Sequence, residues 1–317
     1  MTAGARGPVR SATVFAPATV GNVGVGFDLL GHATVSVGDR VTVSRLDEPT
    51  VVVRSGGDPP LPLDAASNTA GAGLLRLIQD LGLSFGFEVY LEKGIPLGSG
   101  MGGSAASAAG AILAASRLLP EALTQAQLLT YGLYGEQVAT GSLHADNLAP
   151  CLLGGLTLVL DHEPVEVVRI PVPPALHCVV VQPRLRLDTR DARRVLPTHI
   201  CLTDHVAQAG NLAGVLAGCH SGDFRLIGRS LQDLIVEPAR APLVTGFEGV
   251  KRAALDGGAL GCSLSGSGPA MFAWCVGPES GESIRARMIG AFKAAGIEAR
   301  GWVSPVNAPG ARVEREE

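Results

Sequence analysis

The amino-acid sequence predicts an α+β fold made of two domains. Its 317 residues suggest two domains, because a domain usually contains about 100 to 200 residues. Strand-like and helical periodicities occur in both halves without a strict βαβα order, which favours α+β over a doubly wound parallel sheet. Prolines cluster in Pro164–Pro174, and we therefore divide the chain into domains at 1–165 and 166–317.

The composition excludes several classes of function. Hydrophobic residues make up 46% of the chain and charged residues 17%, so the chain can bury a core. The net charge of −4 and the lack of basic blocks argue against a nucleic-acid partner. No apolar stretch approaches the ~18 residues of a membrane span, so no membrane association is expected. The six cysteines form no CxxC or zinc-site pattern, which favours reduced thiols and a cytoplasmic location.

Periodicity predicts the elements of the first half. Alternating apolar residues predict strands, in chain order, at Thr13–Phe15, Ala33–Val37, Val41–Val43, Val51–Arg54, Phe85–Leu91 and Leu156–Leu160. Gly38-Asp39 lies between two of these strands and predicts a hairpin turn. Apolar residues at helical spacing predict helices at Asn68–Leu83, Ser104–Leu118 and Leu123–Gly141. Gly82 is typical of a helix C-cap.

The second half shows a similar mixture. Buried-type apolar runs predict strands at Cys178–Gln182, Ala259–Ser263 and Met271–Val276. Helical spacing predicts helices at Thr189–Leu196, Asp204–Cys219, Phe224–Asp233, Gly246–Asp256 and Ile284–Ala295. These elements are enough to build a second sheet covered by helices.

A glycine-rich segment, Gly94–Gly103, joins a predicted strand to the Ala-rich helix. Its glycines allow backbone N–H groups to converge, and the helix N-terminus adds partial positive charge, so the segment predicts a phosphate site. It is not a Walker loop, since no lysine follows it. Gly98, Gly100 and Gly103 match GxGxxG, but the acidic residue that dinucleotide binding requires about 20 residues further on is missing. An NAD-dependent oxidoreductase is therefore the alternative from another class.

Three segments resemble the motifs of the GHMP kinase superfamily, which comprises galacto-, homoserine, mevalonate and phosphomevalonate kinases. Pro96–Ser107 is similar to its phosphate loop, with Met101 and Gly103 where leucine and serine are usual. Ala16–Asp28 resembles the first motif, and Leu264–Pro269 resembles the third, a glycine-rich loop beside the nucleotide loop. Together the motifs span nearly the whole chain.

Further segments narrow the resemblance to the homoserine kinase branch. His144–Pro150 is similar to its HxDN-AP segment, Thr189–Pro197 to its T-x-x-A-R-x-x-L-P helix and Glu237–Arg240 to its E-P-x-R. Val20-Gly21 departs from the branch, where a pair such as Ser-Ala is common, and a local change in packing is expected there.

The resemblance implies a two-domain GHMP kinase fold with the active site between the domains. Residues 1–165 would form the N-terminal domain with the phosphate loop, and 166–317 the C-terminal domain. The implied reaction is phosphorylation of the L-homoserine hydroxyl by ATP with Mg²⁺, giving O-phospho-L-homoserine on the way to threonine. A homodimer is also implied. Another small-alcohol kinase such as a mevalonate kinase, or a non-catalytic regulator with the same fold, are the alternatives within the superfamily.

The resemblance also implies roles for particular residues. ATP would bind at Pro96, Leu97, Gly98, Ser99, Gly100, Met101, Gly102, Gly103 and Ser104, with Asn68 and Lys93 nearby. Mg²⁺ would bind at Ser104 and Glu136, although without the resemblance Glu136 would be interpreted as part of a solvated helix face. The substrate would bind at Asn22, Asp28, Asn147, Arg193 and Arg240, because a guanidinium pairs well with a carboxylate and the other three can hold an ammonium or hydroxyl group. Asp146 would act on the hydroxyl, as a general base or only by orienting it.

Overall fold

The computed structural model describes residues 9–56, 61–140 and 143–317. Gly141, the predicted end of a helix, lies outside these ranges. In the described part of the chain the strands are β1 (Ser11–Gly21), β2 (Leu30–Leu46), β3 (Val51–Gly56), β4 (Gly86–Glu92), β5 (Leu156–His162), β6 (Val165–Ile170), β7 (Leu176–Pro183), β8 (Gly261–Leu264), β9 (Met271–Val276), β10 (Ala299–Pro305) and β11 (Arg312–Glu316). They form two sheets, which with the helices between them make the predicted α+β fold.

The helices alternate with groups of strands. Over the same described residues they are α1 (Thr69–Leu81), α2 (Gly103–Ser116), α3 (Gln125–Thr140), α4 (Leu148–Leu153), α5 (Thr189–Arg194), α6 (Leu202–Ser221), α7 (Phe224–Ser230), α8 (Val236–Arg240), α9 (Phe247–Asp256) and α10 (Pro278–Ala294). Gly82 ends α1 in the left-handed conformation, as the sequence predicts, and the Asn68 side chain caps its start. No helix among the described residues is both long enough and apolar enough to cross a membrane.

The first sheet carries the glycine-rich segment. Its strands run in the order β11-β1-β2-β4-β3, and β5 joins it through the first residues of β2 and pairs in turn with β6. Helix α2 packs on β1 and β2 with nearly every residue buried. Its small side chains permit this close packing, since a Cβ on Gly110 would lie 2.6 Å from Val41.

The hairpin predicted at Gly38-Asp39 is wrong. Strand β2 continues through both residues, which pair with Pro17 and Ala16 of β1. Strand β1 also extends beyond the predicted Thr13–Phe15, because it accommodates Pro17 at a register shift between Pro17 and Thr19. Asp39 is consequently a fully buried carboxylate inside a sheet rather than an exposed turn residue.

The second sheet has the order β10-β7-β9-β8 and is antiparallel throughout. Helices α9 and α10 cover one face, where Phe247, Ile284 and Phe292 are buried. The division of the sheets does not coincide with the domain boundary at 165/166. Strand β6 begins at Val165 and still pairs in the first sheet, and the C-terminal strand β11 returns to pair with β1.

A shared core joins the two sheets. One cluster of buried side chains includes Leu30 and Ala105 from the first half and Phe272 from the second. Within it, Trp274 Nε1 of β9 donates to His32 Nε2 of β2 at 3.3 Å, while His32 Nδ1 lies 2.9 Å from Ala33 O. These contacts require His32 to be neutral, and burial lowers its pKa to about 4.

Candidate active site

A cleft of about 460 Å³ opens between the two halves of the chain. Both halves line it, through the glycine-rich segment, the β1–β2 loop, the segment around Asp146, residues 186–190, Arg193, Arg240 and the loop at Gly266. The segments that resemble three separate kinase motifs therefore meet at one place. The cleft has a glycine-rich end and an end rich in charged side chains.

The glycine-rich end is held by close backbone packing. Gly98, Gly100 and Gly102 have positive φ angles of 63°, 78° and 69°, which favour glycine. A Cβ on Gly100 would lie 2.5 Å from Ser265 O, and Ser265 Oγ donates to Gly100 O at 2.7 Å. The third motif thus rests directly on the phosphate loop. Met101 is different, because its side chain is buried in the core.

Helix α2 begins at Gly103 and points its first turn at this end of the cleft. Ser104 Oγ donates to Glu136 Oε2 of α3 at 3.2 Å. Glu136 is only 4% exposed, which corrects its interpretation as a solvated helix face. Burial, reinforced by the charge of Asp146, raises its pKa to about 7. A hydroxyl and a carboxylate oxygen this close together are suitable ligands for Mg²⁺, so the donor set fits that ion.

Asn68 and Lys93 line the cleft, but protein atoms engage both side chains. Asn68 Oδ1 accepts from the amides of Ala70 and Gly71, and its Nδ2 donates to Pro62 O at 2.6 Å. Lys93 pairs with Asp39. Their predicted contact with a nucleotide stays a prediction, whereas their contacts within the protein are direct.

Asp146 lines the cleft and interacts electrostatically with Glu136 at its glycine-rich end and with Asp28 at its charged end. Its Oδ2 accepts from the Asn22 backbone amide and from Asn147 Nδ2, each at 3.2 Å. The side chain is 5% exposed, and burial, followed by repulsion from Asp28, raises its pKa to about 7. Thr19 Oγ1 donates to Asn147 Oδ1 at 2.7 Å and fixes that amide. The carboxyl group can therefore hold or release a proton near neutral pH.

The charged end contains Asp28 and two arginines. Arg193 Nη2 lies 2.9 and 3.0 Å from the two carboxylate oxygens of Asp28, and His144 Nδ1 lies 3.5 Å from Asp28 Oδ2. Arg240 is 2% exposed and donates to Ala192 O and Gly266 O. The two guanidinium carbons are each 5.2 Å from the ring centroid of Phe27, so both arginines make a cation–π contact with this ring.

The β1–β2 loop that carries Asn22 and Asp28 is strained. Asn22, Val23 and Asp28 have positive φ angles of 65°, 43° and 58°, and for β-branched Val23 this is an outlier. Asn22 Oδ1 accepts from the Asp28 amide at 3.0 Å, and Asn22 Nδ2 donates to Gly266 O at 2.9 Å. Asn22 is thus both a turn residue and a contact between the first and third motifs.

The structure brings the predicted substrate and catalytic residues together, but sequence reasoning missed several of their neighbours. Phe27 could have been found, because an aromatic residue inside a polar, glycine-rich loop is unusual. The sequence indicates no role for His144, although it contacts Asp28. The predicted hairpin places Asp39 in a turn, so the sequence does not indicate that this residue is buried.

Comparisons with known proteins show the family of the chain. Residues 68–155 match the family described as GHMP kinases N terminal domain, and residues 215–294 match GHMP kinases C terminal. A homoserine kinase from Xylella fastidiosa strain 9a5c is 49% identical over 306 residues, covering 96% of this chain and 94% of that one. A homoserine kinase from Chloroherpeton thalassium is 42% identical and covers 96% of this chain and all of its own.

Solved structures place the fold in the same class of small-molecule kinases. The crystal structure of homoserine kinase from Cytophaga hutchinsonii superposes with a TM-score of 0.94 at 45% identity, covering 98% of this chain and 100% of that chain. Mevalonate kinase from L. major, at 16% identity and a TM-score of 0.67 over 96% of this chain and 100% of its own, shares the fold. The chain belongs to the homoserine kinase branch of the GHMP kinase family.

Proposed function

We propose that the protein transfers the terminal phosphoryl group of ATP to the hydroxyl of L-homoserine, giving O-phospho-L-homoserine and ADP. The observation that carries this proposal is the layout of the cleft. A glycine-rich anion site lies at one end, opposite charges lie at the other, and the buried Asp146 lies between them. The identity to homoserine kinases supports the choice of acceptor.

The charged end suits a zwitterion. Arg193 and Arg240 hold the substrate carboxylate, because a guanidinium donates two directed hydrogen bonds to it. Asp28 holds the ammonium, and Asn22 and Asn147 orient the hydroxyl side. Mevalonate has a carboxylate but no ammonium, so Asp28 would then lack a partner on that substrate. This difference favours an amino acid over the mevalonate kinase alternative.

Asp146 acts on the hydroxyl that attacks phosphorus. With a pKa of about 7, a substantial share of its carboxyl is ionised at neutral pH and can accept the hydroxyl proton. A loose transition state needs little deprotonation, so orientation alone is the competing role. Asp146→Asn separates them. A fall in kcat of about tenfold, or 1.4 kcal/mol, indicates orientation, and a much larger fall indicates a base.

At the glycine-rich end, backbone amides from Gly98 to Ser104 hold the phosphates. Ser104 and Glu136 supply two of the oxygen ligands for Mg²⁺. ATP supplies the phosphoryl group, and Mg²⁺ offsets negative charge on the phosphates. Packing of the third motif on Gly100 holds the loop in place.

The test is release of ADP from ATP-Mg²⁺ by the purified protein, with L-homoserine, mevalonate or no acceptor in parallel. We expect turnover with homoserine alone. Turnover with another alcohol would show that the proposed acceptor is wrong and that the protein is nevertheless a kinase. If no acceptor gives turnover, and NAD(H) but not ATP-Mg²⁺ protects the protein from proteolysis, the oxidoreductase alternative is favoured.

We further propose a homodimer in the cytoplasm. The dimer is an expectation from the family resemblance, and the location rests on the cysteine pattern of the sequence. Light scattering of the purified protein tests the first. A mass of one chain at working concentrations would overturn it.

A further inference from the structure

Asp39 is a buried carboxylate that the reaction described above does not use. It has no exposed surface, although it lies in the middle of β2. Its Oδ1 accepts from the backbone amides of Gly94 and Ile95, each at 3.0 Å. These are the residues with which the glycine-rich segment begins. Asp39 therefore ties the entrance of the phosphate loop to the sheet.

Lys93 ties the other end of the loop to the same carboxylate. Its ammonium pairs with Asp39 Oδ2 and donates to Gly103 O at 2.6 Å and to Ser107 Oγ at 3.0 Å. Gly103 is the first residue of α2, and Ser107 lies one turn later. An ammonium has three hydrogen-bond donors, and these three contacts use them all.

The backbone also holds the entrance closely. A Cβ on Gly94 would overlap the carbonyl oxygen of Gly38, the residue before Asp39. The loop entrance thus lies directly against β2, and its exit lies within reach of the same ion pair. A displacement of either end would move the amides between them, which form the predicted phosphate site.

We propose that Asp39 and Lys93 form a buried clamp that positions the phosphate loop, and that Lys93 acts on ATP through the loop rather than by contacting a phosphate. The clamp holds Gly94, Ile95 and Gly103 at fixed separations, so the amides converge before ATP binds. This inference rests on the proposed use of ATP. It makes Asp39 and Lys93 positioning residues.

The experiment is a double-mutant cycle with Asp39→Asn, Lys93→Met and the double variant. ATP-Mg²⁺ binding is measured by calorimetry without acceptor, and steady-state kinetics are measured for both substrates. Glu88→Gln is the control, because it removes a half-buried carboxylate, paired with Arg54, from the neighbouring strand β4. We expect each single variant to raise the ATP Kd by about tenfold or more and leave the homoserine KM within about twofold. The double variant should bind ATP no worse than the poorer single variant, because the two residues act as a unit.

Different results would overturn the clamp. If Lys93→Met weakens ATP binding while Asp39→Asn leaves it unchanged, Lys93 is a direct phosphate ligand. If both variants bind ATP as the control does, the pair does not position this loop. The same conclusion follows if they raise the homoserine KM by as much as the ATP Kd. Should the charge variants fail to fold, Ser107→Ala decides, because it removes one contact to each partner without leaving a charge unpaired. A rise in its ATP Kd of about threefold supports the clamp, and an unchanged Kd overturns it.

The binding measurement separates this inference from the proposed acceptor. If the wild-type protein binds ATP-Mg²⁺ but does not phosphorylate homoserine, the acceptor is wrong and the cycle still tests the clamp. If the wild-type protein does not bind ATP-Mg²⁺ at all, both the proposed function and the clamp's proposed purpose are overturned.

Discussion

Arg193 and Asp28 are 165 residues apart in the chain, yet Arg193 Nη2 lies within 3.0 Å of both oxygens of the Asp28 carboxylate. Each side chain is proposed to bind the opposite charge of a zwitterionic substrate. Without substrate they neutralise one another, which lowers the cost of holding two charges in a partly closed cleft. Substrate binding therefore exchanges one ion pair for two, and the site is matched to a molecule that carries both charges.

Removal of Arg193 should weaken binding of the acceptor only. We expect Arg193→Leu to raise the homoserine KM by about 10- to 100-fold, because a charge-assisted hydrogen bond contributes about 1.5–3 kcal/mol. The ATP KM should stay within about twofold. Arg194→Leu is the matched control, since Arg194 is the next residue and its side chain is 78% exposed. Equal homoserine KM values for both variants would remove Arg193 from the site.

Arg240 should affect both binding and stability. It is almost completely buried and donates to two backbone carbonyls, Ala192 O and Gly266 O. Arg240→Leu leaves those acceptors without this donor, so we expect a higher homoserine KM together with a loss of about 2 kcal/mol or more in the free energy of unfolding. Urea denaturation and kinetics measure the two effects. A variant of unchanged stability would show that the carbonyls find water instead.

Asp146 should make the free protein less stable at neutral and alkaline pH. Its pKa rises from 3.8 in the unfolded chain to about 7 in the folded protein. The folded state therefore binds the proton more tightly, and stability is greatest below pH 4 for this group and is lost as the pH rises through 7. We expect Asp146→Asn to be more stable than the wild type at pH 8, by up to about 4 kcal/mol, and not at pH 4. A gain that is the same at both values would exclude this titration as its cause.

Protonation of His32 should lower the free energy of unfolding at acid pH, which is the opposite pH dependence to that of Asp146. Its pKa falls from 6.5 to about 4 on folding, because burial disfavours the charged ring. Stability from this group is complete above pH 6.5 and is lost as the pH falls toward 4, by about 3 kcal/mol in total. His32→Gln can still accept from Trp274 but does not titrate, so its difference from the wild type should change between pH 7 and 4. Parallel curves would contradict this prediction.

The glycine-rich segment and the charged residues could be predicted from the sequence because each belongs to a short run with its own chemistry. Helix α1 was predicted to within a few residues, since its period, its Asn68 cap and its Gly82 end are all local. The prediction of a hairpin at Gly38-Asp39 was wrong because it, too, depended on local signals alone. A Gly-Asp pair is a turn signal locally, but pairing with β1 and the bonds to Gly94 and Ile95 keep it extended.

The sequence by itself determined the α+β class, the glycine-rich loop, the family and the set of charged side chains that line one end of the cleft. These depend on periodicity and on residue types within single segments. Only the tertiary structure decided that Glu136 is buried beside Ser104. It also decided that the Lys93 ammonium donates its hydrogen bonds to protein atoms and that Asp39 lies beneath the loop. Such properties depend on which atoms meet across two sheets and on how much water is excluded there. No local pattern encodes them.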